Sequence, residues 1–333
     1  MRESGRPPFV LFAAAAGPEI GFGHLVRCAN LADALGVPRE LALRGSVRTR
    51  DTALGLGWTV HRGPRLLQHL SPDLLVVDDP SAAHTAQWVR HARRWRVPVA
   101  TMHDGVARPV GSDLAIDGSL VARPIDRAHR IAGPAFAIVN AAITAHRARP
   151  ARREPGRVLV ALGGGAHVRT LGAAIARAIV AADPHARVDV AAGFVLDGRR
   201  PALPPRCRWI AAPDGLARQL ASAGVAVVAG GVTLYEACAL GTPAIAVPVV
   251  AAQRPAIAAA AAAGAVMAVT TSRTSRTPQD IAHLVSLVMT MPAVAGALSR
   301  RASRLVDGQG AARVAARLRA LLGEPERRWR HAA

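Results

Sequence analysis

Continuous apolar runs alternate with amphipathic runs along this chain, and the pattern starts over near the middle. In the first half the apolar runs are 9–15 (FVLFAAA), 40–45, 58–63, 74–79 (LLVVDD), 97–102 and 113–117. The intervening period predicts helices near 24–35, 48–56, 64–70 and 84–95. A strand that is apolar throughout is buried on both faces, as in a parallel sheet covered by helices on each side. The segment 146–157 (HRARPARREPGR) is rich in arginine and proline and reads as a linker. Strands then recur at 157–165, 188–194, 208–212, 225–231 and 243–250, with helices at 170–182, 214–223, 232–240 and 254–264. Helical runs at 279–291 and 293–322, the latter broken at Gly308–Gly310, close the pattern. The stretches 197–208 and 270–280 read as exposed connectors, and the end of the chain as a frayed tail. The expected architecture is α/β: two doubly wound Rossmann-like domains, 1–150 and 151–333. A chain of 333 residues gives each its own core. Open α/β sheets bind ligands at the carboxyl ends of their strands, so the two domains are expected to face each other across a ligand cleft.

Composition removes several function classes. The formal charge of +20 invites a nucleic-acid partner. However, all 42 basic residues are arginine and scattered, a pattern expected of a GC-rich coding bias, and aromatics are only 3%, too few for base-stacking platforms. No nucleic-acid partner is expected; anionic small substrates suit such a surface. Cys28, Cys207 and Cys238 are far apart, which supports neither a disulfide framework nor a zinc site and suits a reducing cytoplasm. The run 9–16 resembles a short signal-peptide core, but its eight residues read better as the first strand. Charged residues, prolines and glycines interrupt the apolar stretch 223–269, so no integral membrane segment is expected.

Three glycine turns follow strands. In IGFGHLVRCANLADAL (20–35), Gly21 and Gly23 precede a helix, where the backbone turns sharply and free N–H groups favour an anion. Spacing alone equally suits an ordinary tight turn. Val26 occupies the position where a nicotinamide fingerprint needs glycine or alanine. His24 stands at the helix start, where the dipole opposes its protonation; a neutral imidazole there can accept a proton. Arg27 is one turn on and shares that face. The simpler account has His24 as a cap and Arg27 in solvent. Gly163 and Gly164 in LGGGAH follow a second strand, again consistent with a ligand or with a flexible turn. In VAGGVTLYEACALGTPAIAVPVV (228–250), Gly231, Val232 and Thr233 sit where a strand passes into a helix and can hold a diphosphate, with Glu236 one turn on to take ribose hydroxyls. The same Thr233–Glu236 spacing also makes a capping box. Asp78–Asp79 and the 103–105 HDG end strands and are candidate sugar contacts. They lack the further ligands of a metal set, so neither a metal nor a cofactor is expected.

These stretches resemble, in order, the UDP-sugar hydrolases of the pseudaminic-acid and spore-coat pathways (PseG/SpsG type). The match spans most of 8–265 and rests on 20–35, LLVVDD, DLAID, VLVALGGG, the 228–250 block and QRPAIAAAAAAG. That family belongs to the glycosyltransferase-B superfamily, near the MurG-type transferases. The resemblance implies UDP on the second domain, with Glu236 on the ribose and Gly231, Val232 and Thr233 on the diphosphate, and Gln253 in the binding set. It also implies His24 as general base on water attacking the anomeric carbon, with inversion and no metal. Some family features differ here: Asp79–Pro80 in place of His-Tyr, Phe136 and Asn140 at the ends of FAIVN, and Ala252 before Gln253. These lie on the sugar side. The expected activity is a UDP-sugar hydrolase. The alternatives are an inverting transferase using the same donor, with His24 deprotonating an acceptor hydroxyl, and a non-catalytic nucleotide-sugar or polyanion binder.

Overall fold

The structure is a computed structural model describing residues 8–17, 19–61, 70–105, 111–149, 152–165, 167–194, 200–269 and 277–323. The chain divides into two units. One holds Met1–Ile20, His24–Ile138 and Gln309–Ala333; the other holds Gly21–Gly23 and Val139–Gly308. The sequence reading placed the boundary at 150 and kept 309–333 with the second domain.

The first unit carries eight strands: β1 (Val10–Ala15), β2 (Glu40–Arg44), β3 (Thr59–His61), β4 (Leu74–Asp78), β5 (Val99–Met102), β6 (Leu114–Asp117), β7 (Ile125–Arg127) and β8 (Arg130–Ala132). Their order is β3-β2-β1-β4-β5-β6-β8-β7, parallel except for the β7–β8 pair. Every residue of β1 and β4 is buried, as expected of central strands with helices on both faces. The second unit carries β9 (Glu154–Ala161), β10 (Arg187–Ala191), β11 (Cys207–Ile210), β12 (Ala223–Ala229), β13 (Ala244–Val247) and β14 (Met267–Ala268). Their order is β11-β10-β9-β12-β13-β14, and every pair is parallel. Valines and isoleucines of β9, β10, β12 and β13 meet Ile175 and Ile179 of one helix and Ile281 and Val285 of another in a single apolar core.

Each sheet therefore reverses its strand order at one place, between β1 and β4 in the first unit and between β9 and β12 in the second. Crossovers on either side of such a reversal leave on opposite faces, which opens a crevice at the carboxyl ends of the two strands.

The expected linker 146–157 is largely structured. A helix runs over Ala141–Ala148 and β9 begins at Glu154. Arg147 replaces apolar packing there by donating to the carbonyls of Ala239 (2.5 Å) and Ser303 (2.9 Å). The β7–β8 hairpin, too short to show an apolar run, was not foreseen. The final helix, Gly310–Leu321, joins the first unit rather than the second. Gly310 lies so close to the Ala137 carbonyl that a Cβ would sit 2.1 Å from it, Val314, Ala315 and Leu318 are buried, and Arg319 donates to the Ala34 carbonyl (2.8 Å). Most of the helix expected at 64–70, parts of both expected connectors and the tail from 324 lie outside the described residues.

Candidate functional site

At the β1–β4 reversal, Gly21 carries the chain through φ +86, a conformation open to glycine. Gly23 then opens the helix Gly23–Leu35. His24 is thus in the first turn, and the parallel register of β1 with β4 (Ala14 beside Asp78) brings the end of β4 under it. His24 Nδ1 donates to Asp78 Oδ1 at 2.8 Å. Arg27 grips the same carboxylate with both arms, Nε to Oδ2 at 2.8 Å and Nη2 to Oδ1 at 2.6 Å, while its Nη1 donates to Asp104 Oδ1 at 2.6 Å. The Cys28 thiol approaches Oδ2 from below at 3.9 Å. Asp78 is 1% exposed and His24 14%.

Burial alone would keep the Asp78 carboxyl protonated. The charges of Arg27 and His24 and their hydrogen bonds reverse this and hold it far below the usual carboxylate range. An ionised Asp78 can only accept, so the Nδ1 of His24 carries the proton and Nε2 carries the lone pair. Among the described residues no hydrogen bond engages that Nε2. Burial lowers the affinity of His24 for a second proton, but the charge and hydrogen bond of Asp78 raise it more, against the opposing charge of Arg27. The net direction is upward. The direction is opposite to that expected from the helix dipole, because a buried carboxylate in contact outweighs a helix end. The arrangement is an oriented base with a free acceptor nitrogen.

Two candidate sugar contacts have other duties. The oxygens of Asp78 are taken by His24, Arg27 and Cys28, which makes it a support for His24. Arg27 is not a solvated arginine; its guanidinium lies between two carboxylates. Asp79 binds Arg44 through both oxygens and caps the Ser81 N–H (2.8 Å). Asp104, at the end of β5, joins the network through a partner 77 residues away, which sequence spacing does not signal.

At the β9–β12 reversal, Gly163 has φ +101 and open space where a side chain would stand. Gly164 is glycine for packing, since a Cβ would meet the Phe194 ring at 2.5 Å. After β12, Gly230 packs against the start of the helix Arg254–Ala262; its Cβ would meet Gln253 Cβ at 2.8 Å and Ile257 Cγ1 at 2.9 Å. Gly231 is under neither constraint: its φ is −97 and a Cβ would meet only Gln253 Nε2, at 4.0 Å. It caps the helix Val232–Ala239 without a side chain, so the N–H groups of Val232 and Thr233 have no cap acceptor. Gln253 is held by its Oε1, which accepts from the Val249 N–H (3.0 Å), so the amide nitrogen is the end beside Gly231.

The capping-box account of Thr233 and Glu236 does not hold. The cap is Gly231, which places Glu236 two residues too deep to serve it. Glu236 is 6% exposed. Burial pushes its carboxyl up to about 7, opposed only by the Asn140 backbone N–H. Asn140 is also the side-chain cap of the Ala141–Ala148 helix, accepting from the Ala142 N–H at 2.8 Å. A buried carboxylate with so little support is poised to gain from hydroxyl donors. Among the described residues no group of three or more histidine, cysteine, aspartate or glutamate side chains is placed to hold a metal, and no single helix is long and apolar enough to cross a membrane.

No protein-family model matches the chain, and no curated protein matches it by sequence. Solved structures do. The spinosyn forosaminyltransferase SpnP is 16% identical over 95% of this chain and 100% of its own, with a TM-score of 0.66. The spinosyn rhamnosyltransferase SpnG, complexed with thymidine diphosphate, is 20% identical over 94% and 99%, with a TM-score of 0.63. The UDP-GlcNAc 2-epimerase of Neisseria meningitidis, bound to UDP-GlcNAc, is 13% identical over 95% and 100%, with a TM-score of 0.59. The chain has the glycosyltransferase-B fold.

Proposed function

We propose that this protein is an inverting glycosyltransferase that uses a nucleoside-diphosphate sugar, with UDP as the first candidate nucleotide. The observation that carries the reading is the His24–Asp78 hydrogen bond, which fixes the imidazole with Nε2 as the accepting nitrogen. In this reading Nε2 takes the proton of an acceptor hydroxyl as its oxygen bonds to the anomeric carbon. The bond from that carbon to the diphosphate breaks on the opposite face, and the nucleotide leaves with the electron pair. Asp78 stabilises the imidazolium that forms. The second unit binds the donor: Val232 and Thr233 N–H groups and the Gln253 amide for the diphosphate, Glu236 for the ribose hydroxyls, with Gly231 and Gly163 allowing close approach. Of the three similar structures described above, two are named as sugar transferases, which supports transfer; the third is an epimerase, so the fold leaves the reaction to the site.

Hydrolysis is the second reading, favoured by the resemblance of 20–35 and 228–250 to the PseG/SpsG hydrolases. Water and a sugar hydroxyl ask the same of His24. The deciding experiment measures UDP release over a panel of UDP-sugars, with and without alcohol acceptors. Transfer predicts release that depends on acceptor and a glycoside product of inverted anomeric configuration. Acceptor-independent release of free sugar would replace transfer by hydrolysis. In either case His24→Phe loses about 10²–10⁴ in turnover and keeps UDP affinity. An active His24→Phe enzyme removes the base assignment.

A further inference from the structure

The second unit has a pocket at the opposite end of its sheet from the glycine turns. It opens at the amino ends of β9, β10 and β11, and Arg157 there lies about 16 Å along β9 from Leu162, at about 3.3 Å per residue. Its volume is about 460 Å³, and its charged lining is Glu154, Arg157, Arg187, Asp189, Arg206 and Arg208. Four guanidinium groups face two carboxylates. Asp189 is shared by Arg157 (2.8 Å) and Arg208 (2.6 Å), and Glu154 by Arg157 (2.7 Å) and Arg187 (3.3 Å). Arg206 has no side-chain hydrogen bond or ion pair among the described residues. It is exposed and sits at φ +64, a left-handed conformation that costs an arginine more than a glycine.

We propose that this pocket binds a phosphate-bearing small molecule. The register explains why the arginines gather: Arg157 stands beside Arg187, and Asp189 beside Arg208, on adjacent parallel strands. The two carboxylates pre-set the guanidinium planes and cancel half of their charge. What remains is an excess of two positive charges, the charge of one ionised phosphate. Planar guanidinium forks match phosphate oxygens in pairs. The pocket is far larger than a bare phosphate and lies in the range of small-molecule sites. This site is separate from the proposed donor site, and the inference does not depend on the transferase reading.

Cys207, on the pocket wall, supplies a built-in reporter. It is half-buried, while Cys28 and Cys238 are buried, so alkylation of the folded chain reads Cys207. The experiment uses the full chain with inorganic pyrophosphate as probe, binding at this pocket being read by protection of Cys207 on its wall. Pyrophosphate is expected to bind by calorimetry and to slow Cys207 alkylation at least threefold. The double variant Arg187→Ala/Arg206→Ala removes two exposed side chains and is expected to fold, checked by its melting temperature. It should weaken pyrophosphate binding at least tenfold and leave UDP affinity unchanged. Absence of pyrophosphate binding to the parent protein overturns the proposal, as does binding that survives the double variant. Displacement of pyrophosphate by a duplex oligonucleotide with steep salt dependence also overturns it, in favour of a general polyanion surface.

Discussion

Replacing Arg27 by methionine tests the electrostatics of the first-unit site more sharply than removing His24. Arg27 Nη2 lies 3.3 Å from His24 Nδ1, and the two groups share one buried carboxylate. Asp78 favours the imidazolium and Arg27 opposes it. Without the guanidinium, Asp78 acts on His24 unopposed, and His24 holds its second proton to higher pH. Two unit charges about 4 Å apart interact by about 4 kcal/mol at the effective dielectric of a protein surface. Structural relaxation reduces this, and the titration is expected to move upward. A base that already carries its proton cannot take another. At pH 7 the Arg27→Met enzyme is therefore expected to lose rate, by up to about tenfold for each pH unit moved, and to recover it as pH rises. The assay is kcat/KM for nucleotide release from pH 5.5 to 10, paired with an NMR titration of the His24 ring. Arg27→Lys keeps the charge and should keep the acid limb close to that of the parent. Asp104 is half-exposed, so water can replace its lost partner. An acid limb that stays in place in a folded Arg27→Met protein refutes the argument and leaves Arg27 a structural residue.

Three further variants probe the second unit. Because Glu236 is raised to about 7, the folded state holds a proton that the unfolded chain has released at lower pH, so this group's contribution to stability falls as pH rises from about 4.5 to 7. Glu236→Gln is expected to match the parent's melting temperature at pH 5 and exceed it at pH 8, by up to the order of 3 kcal/mol, while binding UDP about tenfold more weakly for loss of a charged acceptor. Equal melting temperatures at pH 8 would show that the carboxyl is not raised. Gly230→Ala drives a methyl into Gln253 and Ile257 and should cost about 1–3 kcal/mol in a denaturation experiment. Gly231→Ala meets nothing closer than 4.0 Å and should keep stability while losing UDP affinity. Unchanged UDP binding in Gly231→Ala would remove that turn from the donor site.

The strands were legible because their burial is written as uninterrupted apolar runs. The run 74–79 became β4 and 225–231 became most of β12, with ends shifted by one or two residues. Elements whose stabilisation comes from polar contacts were not legible. The Ala141–Ala148 helix is tied down by an asparagine cap and by Arg147 on distant carbonyls, and from composition that segment looks like a linker. The same limit applies to the sites. His24 stood out because a histidine after a glycine turn is unusual, but its partnership with Asp78, Arg27 and Asp104 depends on strand register across 51 to 77 residues. Gly163, Gly164, Gly230 and Gly231 look alike in the sequence. The structure separates them: Gly164 and Gly230 answer to packing, Gly163 to a positive φ, and Gly231 to neither.

That separation bears on how one architecture, used twice in a chain, comes to do two jobs. Both sheets reverse after their first strand, and both present a glycine turn and a helix start at the reversal. In the first unit the neighbouring strand ends in aspartate, and that carboxylate accepts from His24 in the first turn of the helix and raises its affinity for a second proton. In the second unit the helix start follows β12, and the neighbouring strand, β9, ends in Ala161 rather than in an acid; the helix start has no side-chain cap, and the Glu236 carboxyl, a turn into the helix, is raised rather than lowered by burial. Under the proposed function, the residue that closes the strand beside the reversal decides whether the helix end serves proton transfer or anion binding. An exchange tests this directly. Asp78→Ala should abolish the pH-dependent limb attributed to His24 and leave a helix end that binds a simple anion such as sulfate more tightly than the parent does. If Asp78→Ala folds and shows no gain in sulfate affinity, the carboxylate was not what suppressed anion binding there, and the difference between the two reversals lies elsewhere.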